Sequence, residues 1–202
     1  MSQTPDPAVA AQKTALRDQL VTARRRRGLG SLREDAEAIA EHLLQVPEVR
    51  RAATVAAYVS VSAEPGTGPV IERLAELGRR VILPVLLPDH DLDWAAYTGP
   101  AGLVSAGRGL LEPAGPRLGP DAVATADVVL CPGLAVDRSG MRLGRGGGSY
   151  DRTLGRVPRG TFVCTLLFPE ELVDVVPADA HDRRVTAVVT PAGVTRLPTA
   201  RA

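Results

Sequence analysis

ATVAAYVSVSAEPGTGPVIERLAELGRRVILPVL, residues 53–86, decides the fold. It opens on a short apolar run, ATVAAYVSV (53–61), which reads as a buried strand. Pro65 and Gly66 mark a loop, and residues 68–77 read as a helix closed by Gly78. RRVILPVL (79–86) is a second buried strand. Strand, loop, helix and strand in this compass form a βαβ unit, which requires parallel pairing and a right-handed crossover.

Working outward, LDWAAY (92–97) reads as a more exposed strand. ADVVLCPGLAVD (126–137) is a buried strand opening into a loop, and TFVCTLLF (161–168) and RRVTAVVT (184–191) are further strands. Their apolar runs are continuous rather than alternating, which suits a parallel sheet covered on both faces. Residues 99–120 are dense in Gly and Pro and read as a long surface excursion. Toward the N-terminus, residues 8–27 are rich in good helix formers and end at Gly28 and Gly30. Ser31 with Glu34 three residues on reads as a capping box for a second helix running to Gln45. The expected architecture is α/β: a three-layer αβα single domain over residues 1–202, with a mostly parallel central sheet and two N-terminal helices. Residues 1–7 and about 196–202 are expected to be loose tails.

Composition narrows the function. Of 202 residues, 45% are apolar and 23% charged, ordinary globular usage that excludes disorder throughout. The net charge of +1 lacks the basic excess of a dedicated nucleic-acid binder. Two cysteines, Cys131 and Cys164, make no disulfide framework and read as small buried hydrophobes. The first residues lack the apolar core of a signal peptide, and no apolar run is long enough to span a membrane. A soluble, cytoplasmic, monomeric protein acting on small molecules is expected.

Of 24 Lys and Arg residues only one, Lys13, is lysine. A chain so biased toward Arg keeps a lysine by chance or because a compact ammonium is required. Aromatics make up only 3%, so Tyr58, Trp94, Tyr97 and Tyr150, with their polar tips, are candidates for lining a site. The run Arg24–Arg25–Arg26–Arg27 reads as a solvated helix end.

The strongest local signal is Gly144-Arg145-Gly146-Gly147-Gly148-Ser149. Such glycines let backbone N–H groups converge on an anion, and the helix that follows adds its positive end. The loop is no Walker A motif, because no Lys follows the last Gly. It also fits a dinucleotide fingerprint poorly, because its sixth position is Ser149. Asp151 just after the loop suits Mg²⁺, which takes one or two carboxylates beside substrate phosphates. Glu64, past a strand end, could anchor a polar ligand group, and His181–Asp182 has the look of a metal or acid/base pair.

Taken in order, these residues form a larger pattern. Lys13-x-x-Leu16-Arg17 is followed by Tyr58-Val-Ser-Val-x-x-Glu64-Pro and Leu92-x-Trp94-x-x-Tyr97. Gly109-x-x-Glu112-Pro113, Pro132-Gly-Leu-Ala-Val-Asp137 and Arg142-Leu-Gly-Arg-Gly-Gly-Gly-Ser-Tyr-Asp-Arg152 come next, then Val176-Pro177 to His181-Asp182. The pattern resembles the 5-formyltetrahydrofolate cyclo-ligase (methenyltetrahydrofolate synthetase) family over about residues 13–190. The resemblance implies an ATP- and Mg²⁺-dependent enzyme that closes 5-formyltetrahydrofolate to 5,10-methenyltetrahydrofolate. It assigns Lys13, Thr14, Ala15, Leu16 and Arg17 to ATP. To ATP it also assigns Arg142, Leu143, Gly144, Arg145, Gly146, Gly147, Gly148, Ser149 and Tyr150. Lys13 and Arg145 are the implied catalytic groups. Val59, Glu64 and Trp94 are implied folate contacts, together with Arg145 to Ser149. Asp151 and Asp182 are the implied magnesium ligands. Two positions depart from the family pattern: Ser149 stands where many relatives carry an aromatic residue, and Thr186 where they often carry an Asp. Two other readings remain at this point. One is a non-catalytic nucleotide- or RNA-binding relative; the other is a sugar-phosphate isomerase, which would need no ATP.

Overall fold

The computed structural model describes residues 6–179 and 182–198. Five α-helices are present among them: α1 (Pro7–Arg24), α2 (Leu29–Gln45), α3 (Pro47–Arg51), α4 (Gly68–Glu76) and α5 (Ser149–Arg156). The central sheet has seven strands: β1 (Thr54–Ala56), β2 (Arg80–Leu86), β3 (Leu92–Ala96), β6 (Val128–Pro132), β9 (Phe162–Leu166), β11 (Ala187–Thr190) and β12 (Gly193–Arg196). Their order is β12-β11-β9-β6-β1-β2-β3. The five inner strands are parallel, and β3 and β12 run antiparallel at the edges. A pair, β4 (Leu103–Ser105) and β5 (Leu111–Pro113), forms a hairpin in the Gly/Pro-rich excursion. A three-stranded sheet joins β10 (Leu172–Val173), β7 (Ala135–Asp137) and β8 (Arg142–Leu143).

Alternate residues of the inner strands feed two cores. Val55, Val81, Leu83, Val128 and Leu130 face Ile39 and Leu43 of α2 and Val70, Ile71 and Leu74 of α4. Ala56, Ile82, Val129 and Val163 face Leu154 of α5 and Val123. With both faces covered, each strand needs apolar residues at every position, which is why the runs are continuous. A third core packs Leu20, with Leu16 and Val21, onto Leu134, Ala135, Leu143 and Val176, and so lays α1 on the small sheet.

The expected βαβ unit is present, but its first strand is three residues long, not nine. After Ala57 the chain turns into a loop closed by reciprocal bonds, Ser60 N–H to Thr67 Oγ1 and Thr67 N–H to Ser60 Oγ. Gly28 caps α2 in place of Ser31, which lies inside the helix. The 92–97 strand is not exposed: Leu92, Trp94 and Ala95 are buried, covered by the segment 117–125. The tails are shorter than expected where they are described. Asp6 caps α1 through its carboxylate, Arg196 ends β12, and Leu197 is buried.

Numbered by chain order alone, the five parallel strands run 2-1-3-4-5, so the strand order reverses between β1 and β6. A crevice beyond the carboxyl ends of two such strands is where open α/β sheets collect ligands.

Candidate active site

A cavity of about 440 Å³ lies at that reversal. The chain leaving β1 supplies Tyr58, Val59, Val61 and Glu64, and the chain leaving β6 supplies Pro132 and Gly133. Residues 144–151 form another wall. Gly146 and Gly148 have positive φ, +101° and +69°, where a side chain would be strained. A Cβ at Gly146 would also stand 3.5 Å from the Arg17 guanidinium. Gly148 is the N-cap of α5 and carries no side chain to occupy the helix's first N–H groups, which stay available to an anion.

Glu64 and Arg145, far apart in sequence, meet across the cavity. Arg145 Nε donates to Glu64 Oε1 at 3.0 Å, and Val61 N–H donates to Glu64 Oε2 at 3.0 Å. The carboxylate is buried while the Arg145 side chain is 54% exposed, so the arginine can leave at small cost. Beneath the loop, buried Arg142 donates to Pro132 O at 3.1 Å and to Asp151 Oδ1 at 3.0 Å. Its guanidinium carbon stands 5.8 Å from the Tyr150 ring centroid. The Tyr150 hydroxyl is buried without a hydrogen-bond partner among the described residues, and burial pushes its pKa, like that of Tyr58, well above the usual phenol range. α5 is braced from outside by the forked pair Arg156–Asp91, at 2.9 and 2.5 Å.

Helix α1 reaches the site from one side. Arg17 Nε donates to Gly144 O at 2.9 Å. One turn earlier Lys13, only 7% exposed, donates to Asp179 Oδ2 at 2.7 Å and Asp182 Oδ2 at 2.5 Å. Burial works against the Lys13 charge, but the two carboxylates outweigh it and hold its pKa above the usual lysine value. The lone lysine is therefore no stray surface residue.

The structure thus gathers Val59, Glu64 and residues 144–151 around one cavity, with Arg142 beside them. It does not bring every expected residue there. Trp94 is fully buried in the core, its indole N–H without a partner among the described residues, and it forms no wall of the cavity. Thr14 and Ala15 lie on the exposed face of α1, and the Thr14 hydroxyl bonds back to Ala10 O. Leu143 packs in the core beneath α1. Asp182 is not among the lining residues and sits beside Lys13, apart from Asp151 at the cavity wall. His181 lies outside the described residues. Among the described residues no group of three or more His, Cys, Asp or Glu is placed to hold a metal ion. Thr186 is engaged elsewhere, pairing with both N–H and C=O of Val163.

Sequence reasoning missed other members of the wall. His90, in a left-handed turn at φ +65°, and Leu110, Leu111 and Glu112 of the excursion line the cavity. The turn at His90 carried a readable signal in the polar run Asp89-His90-Asp91; the excursion's signal was Gly109-x-x-Glu112-Pro113, read as part of the family pattern without a role at the site. Arg24 also departs from expectation, being 3% exposed and bonded to Glu171.

Comparison with known proteins identifies the family. Residues 9–191 match the model of the 5-formyltetrahydrofolate cyclo-ligase family. A 5-formyltetrahydrofolate cyclo-ligase of Mycolicibacterium smegmatis is 47% identical over 143 residues, covering 68% of this chain and 73% of that protein. One from Escherichia coli is 35% identical over 164 residues, 80% of this chain and 90% of that protein. The solution structure of 5,10-methenyltetrahydrofolate synthetase from Aquifex aeolicus superposes with a TM-score of 0.80 at 28% identity, covering 94% of this chain and 95% of that one. Among the described residues no helix is long and apolar enough to cross a membrane. With the match running through α1, the strand ends and the glycine loop alike, the chain belongs to the 5-formyltetrahydrofolate cyclo-ligase family of enzymes.

Proposed function

We propose that the protein closes 5-formyltetrahydrofolate to 5,10-methenyltetrahydrofolate, driven by ATP with Mg²⁺. The observation that carries this reading is the cavity at the strand reversal, with an anion-binding loop on one wall and the buried Glu64 carboxylate facing it. A pterin offers an amino-pyrimidine edge that a carboxylate can bind through two N–H groups. Glu64 takes that edge, exchanging Arg145 for it. The triphosphate lies along the loop 144–148 and the N-terminus of α5. Arg17, on α1 at the loop, and Lys13 one turn away supply positive charge.

The formyl oxygen attacks the γ-phosphorus, forming an O–P bond as ADP leaves. Nitrogen-10 then attacks the activated carbon, forming the new C–N bond. Loss of the nitrogen proton and cleavage of the C–O bond release phosphate. Phosphoryl transfer of this kind needs positioning and charge neutralisation more than a protein nucleophile. Neither buried cysteine is needed, and burial pushes both thiols up in pKa. Asp151 at the cavity and Asp182 beside Lys13 would hold magnesium. Asp151 lines the cavity and Asp182 lies at the Lys13 end of α1, and magnesium characteristically takes only one or two protein carboxylates. Bound there, the ion would neutralise charge on the phosphates. The alternatives of a non-catalytic binder or a sugar-phosphate isomerase are not favoured, because the matching relatives bear the cyclo-ligase name.

The test is direct. Purified protein is given 5-formyltetrahydrofolate, ATP and Mg²⁺, and the methenyl chromophore is followed by absorbance. Product must form, and must fail to form when either ATP or the metal is left out. Chromophore formation without ATP, or none with all components present, refutes the reading.

A further inference from the structure

We infer that Arg24 is a positioning residue for the nucleotide half of the site, acting through the seating of α1 and through the carbonyl of Gly133. The inference rests on the proposed placement of ATP beside α1.

Helix α1 touches the rest of the protein along a single stripe. Its buried residues are Lys13, Leu20 and Arg24, spaced seven and four apart and hence on one face. Leu20, with Leu16 and Val21, rests on the apolar surface of the small sheet. Leucines on such a surface tolerate sliding and small rotations. The polar ends of the stripe do not.

At the far end from Lys13, Arg24 Nε donates to Glu171 Oε1 at 2.6 Å, and Nη2 donates to Glu171 Oε2 at 2.8 Å. The same Nη2 donates to Gly133 O at 2.7 Å. Glu171 is itself fixed, its Oε2 accepting the Phe168 N–H at 2.9 Å. Arg27 adds a second hold, its guanidinium carbon lying 3.6 Å from the Phe168 ring centroid. The C-terminal turn of α1 is thereby tied to the chain leaving β9 and to the turn leaving β6. Gly133, one of the tied residues, is part of the cavity wall.

A buried ion pair is weak evidence for stability, because desolvation offsets the attraction; its best attested use is to fix register. A fork that must satisfy two carboxylate oxygens and a carbonyl together does that here. Only a guanidinium presents donors in this planar arrangement. Slipping α1 by one residue would move it about 1.5 Å and turn it about 100°. Lys13 and Arg17 would then lose Asp179, Asp182 and the Gly144 carbonyl. A misplacement of about 1 Å at a reacting group can cost about 10²-fold in rate.

The experiment compares Arg24→Lys and Glu171→Asp with the exposed control Arg25→Lys. It measures kcat, both Michaelis constants, melting temperature and amide exchange of residues 7–24. The expected result for Arg24→Lys and Glu171→Asp is a fall of about 10- to 100-fold in kcat/KM for ATP. The Michaelis constant for 5-formyltetrahydrofolate stays within about twofold, and exchange speeds up within α1 only. Unchanged kinetics, or both Michaelis constants rising together with a lowered melting temperature, overturns the inference. Should the wild type not use ATP at all, the functional reading fails. Amide exchange then still decides for Arg24: faster exchange confined to α1 supports the clamp, and unchanged exchange removes it.

Discussion

Replacing Glu64 by Gln tests the folate side of the cavity. The carboxylate accepts two bonds, from Val61 N–H and from Arg145 Nε. Glutamine keeps one acceptor oxygen and gains two donors. If its oxygen stays with Val61, the amide N–H groups face Arg145, donor against donor. If it turns to Arg145, the Val61 N–H is left unpaired. One bond is lost either way, and in the complex the pterin loses one charge-assisted bond. Such a bond is worth about 1.5–3 kcal/mol, and about 1.4 kcal/mol is tenfold. The Michaelis constant for 5-formyltetrahydrofolate should therefore rise about 10- to 150-fold. The constant for ATP should move by less than about threefold, because Arg145 is largely exposed and can still reach the phosphates. Steady-state assays with each substrate varied in turn give both values. Equal rises for the two substrates would show that Glu64 orders the loop and does not recognise folate.

Further predictions concern charge placement. Lys13→Arg keeps the charge but replaces a compact ammonium by a broad fork, so turnover should fall about 10²-fold; Arg25→Lys is the surface control, and wild-type turnover in Lys13→Arg would remove Lys13 from the site. Asp151→Asn should raise the Mg²⁺ needed for half-maximal rate several-fold, and should lower stability because Arg142 is left buried beside a neutral amide; a Mg²⁺ titration and a thermal melt check the two effects. Burial opposes ionisation of Asp137, but bonds from Ser139, Met141 and Val176 outweigh it and hold its pKa below the usual carboxylate value. The stability it contributes is full above an ordinary carboxylate pKa of about 4 and is lost as pH falls through the lowered folded value. Asp137→Asn should therefore cost about 1–3 kcal/mol at neutral pH and flatten the acid limb of the unfolding curve; an unchanged limb would mean that another group governs it.

The inner parallel strands, four of the helices and the glycine loop were legible because each has a local signature: a continuous apolar run, helix-forming residues bounded by caps and glycines, a row of glycines. What failed was set by contacts distant in sequence. The Arg24–Arg27 run is basic by composition, yet Arg24 is buried because Glu171, 147 residues away, meets it. Trp94 reads as a candidate wall until the segment 117–125 folds over β3 and encloses it. The strand at 53–61 stops early because Thr67 bonds Ser60 and pulls the apolar chain into the cavity rim. Lys13 was legible for a different reason, as one exception in an arginine-rich chain.

The wide sequence separation of the α1 contacts also sets an order of assembly. Lys13 must find Asp182, 169 residues on, and Arg24 must find Glu171, 147 residues on. At a synthesis rate of about 5–20 residues per second, the second partner leaves the ribosome about 7–30 s after the first. The apolar seat of α1, Leu134, Ala135 and Leu143, is made before these polar partners, so Leu16, Leu20 and Val21 can find cover before the ends of the helix are fixed. Helix α1 precedes every strand among the described residues, yet its register is fixed only after the segments carrying Glu171 and Asp182 have been made.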